Sequence, residues 1–184
     1  AEASGVASTT FAATVAALAE LAAALGAALH PAVIRAAAAD ATEALLVARS
    51  TWLDPAADLL APGRPVHVIA DAAELGAAEQ AALMLRECPR LDAFATDAGD
   101  WLHVGLYTAL PGTPTLLFPG TPYDAELVST VLGRGGQVVA VGDPLAGATT
   151  VVPLANADPV ARSIAAAAGT TLLAAELWRR CVGR

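Results

Sequence analysis

The chain has 184 residues, 56% of them hydrophobic and 15% charged, with a net charge of -8; that is apolar enough for one good α/β core or two small ones and excludes a disordered chain. Its ten basic residues other than histidine are all arginine, which excludes a lysine Schiff base and leaves no basic stripe to follow a nucleic-acid backbone. Cys88 and Cys181 form neither a C-x-x-C nor a Cys/His spacing, which speaks against a disulfide framework or a metal site and fits the reducing cytoplasm.

Ser8, Thr9 and Thr10 offer N-cap oxygens to an alanine-rich helix that the pattern carries to about residue 29. Its apolar stretch contains Glu20 and follows no positive leader, so it reads as a buried helix and not as a signal or a membrane span. His30-Pro31 ends it, and a second helix over 32–53 closes at Asp54-Pro55. A boundary near Ala61-Pro62-Gly63 separates a leading segment, 1–60, from a unit over 61–184. That unit opens with a β-branched run at 66–70, followed by a helix over 73–88 that stops at Pro89. Further apolar runs at 115–118, 137–141 and 150–154 alternate with helical segments at 122–132 and 159–180. The alternation predicts an α/β fold: a parallel sheet between two layers of helices, with a ligand crevice at the carboxyl ends of the strands.

Three stretches stand out together. Gly5-Val6-Ala7-Ser8-Thr9 is a G-V-A-S-T run leading into a helix; Ala81-Ala82-Leu83-Met84-Leu85-Arg86-Glu87 is followed sixteen residues later by His103; and Arg134-Gly135-Gly136-Gln137 forms a turn before a strand. Their order and spacing resemble the isomerase part of glucosamine-6-phosphate synthase and its relatives, which is built from tandem sugar isomerase (SIS) domains. In that family G-V-A-S-T closes the first SIS domain, and a G-A-L-K-L-K-E helix and an H-G-P histidine belong to the second.

The resemblance implies a second SIS domain of flavodoxin-like topology over 61–184, preceded by the end of a first one and two linker helices. It implies a sugar phosphate or amino-sugar phosphate as ligand, a homodimer, and no metal or organic cofactor, because a cis-enediol route only moves protons. The Ser/Thr loop that grips phosphate in such proteins lies in the first domain. This chain would then hold half of a site, completed by a longer protein or by another chain.

The same resemblance assigns roles. Glu87 is the base that moves a proton between C1 and C2; His103 opens the sugar ring across a subunit interface; Val6, Ser8 and Thr9 line the sugar; and Gln80 joins the substrate-binding set, where the family helix usually has a second glutamate. The residues by themselves allow plainer readings. Glu87 sits in the last turn of its helix, where the dipole opposes a carboxylate by roughly 0.3–1 kcal/mol, and dipole and partial burial together would raise its pKa; the alternative is an exposed Glu tied to Arg86 or Arg90. His103 is otherwise a loop histidine bonded to a carbonyl, and Ser8 and Thr9 otherwise only cap a helix. His30 and His67 read as structural, Gly133-Arg134-Gly135-Gly136 as a helix C-cap turn, and Phe118-Pro119-Gly120-Thr121-Pro122 as a turn with Thr121 as a cap or an anion site.

Departures from the family pattern are specific. Ala70-Asp71-Ala72 stands where the family has G-R-G, and an acid there repels phosphate. Glu79 is turned about 100° from Gln80 on the helix and does not replace it. The synthase tail with its Schiff-base lysine has no counterpart in Leu177 to Arg184. With these departures the resemblance implies an aldose–ketose isomerase or a deglycase, with a non-catalytic phosphosugar-binding or sensing module, or a structural subunit, as the alternatives.

Overall fold

The computed structural model of the chain describes residues 8–60, 63–155 and 158–182. The apolar runs read from the sequence are strands of one sheet: β1 (Val66–Ala70), β3 (Pro114–Leu117), β4 (Gln137–Gly142) and β5 (Thr150–Pro153), joined by β2 (Ala93–Asp97). All pairs are parallel, in the order β2-β1-β3-β4-β5. This is the flavodoxin-like order, and its direction of winding reverses between β1 and β3, which places the crevice outside the carboxyl ends of those strands. Every residue of β1 and β3 is buried, as a strand covered on both faces requires.

Among the described residues, seven helices flank the sheet: α1 (Ser8–Ala24), α2 (Pro31–Val47), α3 (Arg49–Leu60), α4 (Leu75–Glu87), α5 (Ala98–His103), α6 (Asp124–Gly133) and α7 (Pro159–Val182). Strand alternation splits the core in two. Val66, Val68 and Ala70 with Leu116, Val139 and Val152 face α3, α4 and α7, while Ile69, Leu117 and Val138 face α5 and α6 around Trp101. Helix α7 is long and apolar enough to cross a bilayer by length and composition. Ala165, Ala166, Leu173, Ala174 and Leu177 are buried in the larger core, which accounts for that apolarity without a membrane.

Three differences from the sequence expectations have local causes. The predicted second helix is two, so three helices and not two precede the sheet. The break follows Val47, and the buried Trp52 indole N–H donates to the Leu45 carbonyl at 3.2 Å, taking the acceptor that a continuous helix would offer to Arg49. Pro55 lies inside α3 instead of ending it; the lost bond to the Thr51 carbonyl is offset by Trp52, Ala56, Ala57 and Leu60, all in the core. Finally, α1 is not a buried helix. Ala19 is its one buried residue, while Leu18 and Leu21, and Leu25 just past its end, are 58%, 55% and 80% exposed.

The Arg134-Gly135-Gly136 turn is a C-cap, as the sequence indicates. Gly135 has φ 73°, and the Gly136 N–H reaches back to the Val131 carbonyl at 2.9 Å. A Cβ on Gly136 would stand 2.6 Å from the Thr113 carbonyl oxygen and 3.0 Å from that of Val131. Because both obstacles are backbone, Gly136→Ala is expected to cost about 1–3 kcal/mol in urea unfolding; an unchanged midpoint would show that the turn relaxes freely.

Candidate functional site at the carboxyl edge and around the first helix

At the carboxyl edge the helices start, and their free N–H groups would hold an anion. The chain supplies such anions itself at α5 and α7, and ahead of α4 and α6 an aspartate closes the preceding loop without capping the helix. Asp71 accepts from the Glu74 N–H at 2.9 Å in the turn before α4, and Asp97 accepts from the Gly99 and Asp100 N–H groups at the start of α5. Asp124 takes the N–H groups of Gly120 and Thr121 and the Thr121 hydroxyl ahead of α6. Asp158 takes those of Val160 and Ala161 at the start of α7. The Thr121 hydroxyl also accepts from the Tyr123 N–H, so the Phe118-to-Pro122 turn is capped from within.

An ion cluster that the sequence reading does not contain closes the same edge. The Arg162 Nε donates to Glu74 Oε1 at 2.7 Å and its Nη1 to Asp143 Oδ2 at 3.1 Å. The side chains of Arg162 and Glu74 are 11% and 12% exposed, that of Asp143 73%. Glu74 Oε2 is buried without a partner among the described residues, and burial pushes the Glu74 carboxyl above its ordinary range against the opposing pull of Arg162. The guanidinium lies against Gly142 and leaves no space there for a Cβ, and the φ of 121° at this position also favours glycine. Only the isolated Asp143 and Arg162 are visible in the sequence; nothing there pairs them.

The residues singled out by the sequence fall in several places. Val6 lies outside the described residues. Ser8 and Thr9 line a cleft of about 480 Å³ between α1, α2 and α7, together with Thr42, Thr171 and Leu172. Gln80 is buried in α4 and has a polar partner. Glu87 ends α4 at the amino edge, next to Arg86, whose Nη1 donates to the Ala93 carbonyl at the start of β2. Glu87 is exposed, not partly buried as expected, because a helix returning from the carboxyl edge ends clear of the sheet. Arg86 being engaged with β2, no ion pair to Glu87 forms among the described residues.

His103 ends α5 and is also exposed. Since α4 packs on one face of the sheet and α5 on the other, one chain does not bring Glu87 and His103 together. The Ser8–Thr9 cleft lies on the α4 side. His67 is structural, as read: its Nδ1 accepts from the Trp101 indole N–H at 2.8 Å inside the smaller core.

No family model matches the chain, and no curated protein matches it by sequence. Solved structures do match its fold. The C-terminal domain of glucosamine-fructose-6-phosphate aminotransferase from Francisella tularensis superposes with a TM-score of 0.66 at 16% identity, over 83% of this chain and 44% of that one. The E. coli CFT073 protein c3406 gives 0.63 at 13% identity over 80% and 87% of the two chains. The Vibrio vulnificus NanR protein, complexed with ManNAc-6P, gives 0.62 at 16% identity over 91% and 67%. This chain thus spans less than half the length of the Francisella domain. At these identities the likeness establishes the fold alone, one that this chain shares with SIS-domain structures.

Proposed function

We propose that the chain is a sugar-phosphate-binding SIS unit that acts as a homodimer, with a site composed of Glu87 from one copy and His103 from the other. The reaction is an aldose–ketose isomerisation, or the related removal of the amine from an amino-sugar phosphate. The carrying observation is the placement of the two residues: both exposed, and on opposite faces of one sheet. A carboxylate and an imidazole so arranged serve one substrate only when two chains meet.

In this reading His103 moves the proton that opens the ring. Glu87 takes the proton from C2 of the open-chain aldose and returns it to C1 of the enediol, a proton transfer that needs neither metal nor organic cofactor. Ser8 and Thr9, with Val6 beside them, offer the sugar hydroxyl and backbone groups. The phosphate is gripped by groups outside 61–184, because Asp97 and Asp158 take the N-termini of α5 and α7 and the acids Asp71 and Asp124 stand in the loops before α4 and α6. The segment 1–60 is the end of a first SIS domain and its linker. The exposed leucines of α1 suit a helix covered by a second copy, and the free thiols of Cys88 and Cys181 suit the cytoplasm.

A binding or sensing module without turnover is the second reading. It is favoured by Gln80, an amide buried where the resemblance has a carboxylate. The test measures binding of fructose 6-phosphate, glucose 6-phosphate and glucosamine 6-phosphate by calorimetry and the entry of solvent deuterium at C2. The expected result is exchange that Glu87→Gln lowers by about 10²–10⁴ with binding kept. Binding without exchange would move the assignment to the sensing module, and failure to bind any of the three would sink both.

A further inference from the structure

His103 is carried by a connection with little regular structure: α5 has six residues, a 3-10 turn follows at Gly105–Tyr107, and β3 begins only at Pro114. Such a segment would normally be among the more mobile parts of an α/β unit. Here it is tied down by two residues far away in sequence, His67 and Arg134. Trp101, fully buried, gives its indole N–H to Nδ1 of His67 on β1, and the two rings meet edge to face at a centroid distance of 6.0 Å. Within the segment Gly105 packs on the same indole, where a Cβ would stand 2.5 Å from Trp101 Cδ1. Arg134, from the turn after α6, donates through Nη1 to the carbonyls of Leu106 and Ala109, and its own carbonyl accepts the Gly112 N–H at 3.1 Å.

We propose that His67 and Arg134 are positioning residues for His103: they brace the 98–110 segment from β1 and from the α6–β4 turn, so that the imidazole is presented to its substrate in one place. The proposal rests on the role given to His103 above, and it gives the Arg134-Gly135-Gly136 turn a purpose beyond capping a helix. It also couples the brace to pH. His67 accepts from Trp101 only as the neutral ring with its proton on Nε2; a protonated ring has no acceptor. Burial holds the His67 pKa below its ordinary value, so the bond stands at neutral pH and is lost only on acidification. Its register neighbours on β2 and β3 are Phe94 and Thr115, neither of them titratable. The charged and titratable groups on the elements around it are Asp97 and Asp100 with His103 at α5, Asp124 and Glu126 on α6, and Arg134.

The test uses the full chain, with hydrogen exchange read by mass spectrometry and turnover read as deuterium entering C2 from fructose 6-phosphate. His67→Leu and Arg134→Met are each expected to speed exchange over 98–110 by about tenfold, the value of one internal hydrogen bond, with β4 unchanged. Both should lower kcat about tenfold with KM kept. His67→Gln, which still offers an acceptor, restores both readouts at pH 7.5. On stepwise acidification the parent loosens over 98–110 and His67→Gln does not. Arg134→Met keeps the proposal open to refutation if His67→Leu fails to fold. Unchanged exchange over 98–110 in the variants would overturn the brace, as would a fall in kcat that His67→Gln does not rescue. A parent that turns over no sugar phosphate would overturn the role of His103 instead, and the exchange data would still decide whether the brace exists.

Discussion

Mixed in equal amounts and allowed to exchange subunits, a Glu87→Gln chain and a His103→Asn chain are expected to regain about a quarter of the parent's deuterium exchange, although each alone falls by about 10²–10⁴. The arithmetic follows from two-fold symmetry. Random pairing makes about half of the dimers mixed, and each mixed dimer has one site with both substitutions and one with neither. The prediction is sharp because the sheet separates the helices: α4 packs with Val68 and Ala70, α5 with Ile69 and Leu117. A site within one chain would show no recovery on mixing, and that outcome would sink the composite site. The dimer itself is read in the same experiment, since recovery requires subunits that exchange.

The sequence reading reaches the sheet because buried parallel strands announce themselves. Val66, Val68 and Ile69, or Val138, Val139 and Val141, are continuous β-branched runs covered on both faces. Strand β2 is illegible for the opposite reason. It is an edge strand containing two alanines, with Phe94 half exposed, and shows neither a run nor an alternation. Pro55 misleads because proline is a local signal, and here the packing of Trp52 and Leu60 outweighs it. Helix α1 misleads through composition: a helix apolar all round suggests burial, but one chain alone does not cover Leu18, Leu21 and Leu25.

The candidate site divides in the same way. Caps such as Asp97 and Asp158 act within three residues along the chain and are legible as acids ahead of a helix. The pairing of Glu74 with Arg162 spans 88 residues, and that of His67 with Trp101 spans 34. No spacing rule reaches either one. The position of Glu87 at a helix C-terminus is legible, but its exposure is not, because that depends on where α4 ends relative to the sheet.

Removing the Arg162 guanidinium is expected to be the costliest single change at the carboxyl edge. Arg162→Met leaves Glu74, whose side chain is 12% exposed, without its cation, and breaking a buried pair from one side costs about 3–5 kcal/mol. For a chain of this size that is a fall in Tm of roughly 6–20 °C. Asp143, mostly in solvent, contributes under about 1 kcal/mol of it. The effect depends on pH with a definite sign. The folded Glu74 pKa lies above the ordinary 4.5 because burial opposes the charge, so the folded chain holds this proton more tightly than the unfolded one. Its contribution is fully favourable below about 4.5 and is lost as pH rises through the folded value. Without Arg162 the folded value rises further, and the penalty grows with pH until the pH passes that value. Glu74→Gln in the Arg162→Met background should abolish that slope and recover much of the stability, since a buried pair replaced as a whole is often close to neutral. Urea unfolding of the parent, the single variant and the double variant at pH 5 and pH 8 checks this. An Arg162→Met chain as stable as the parent at pH 8 would mean that the guanidinium is not what holds Glu74 in the core.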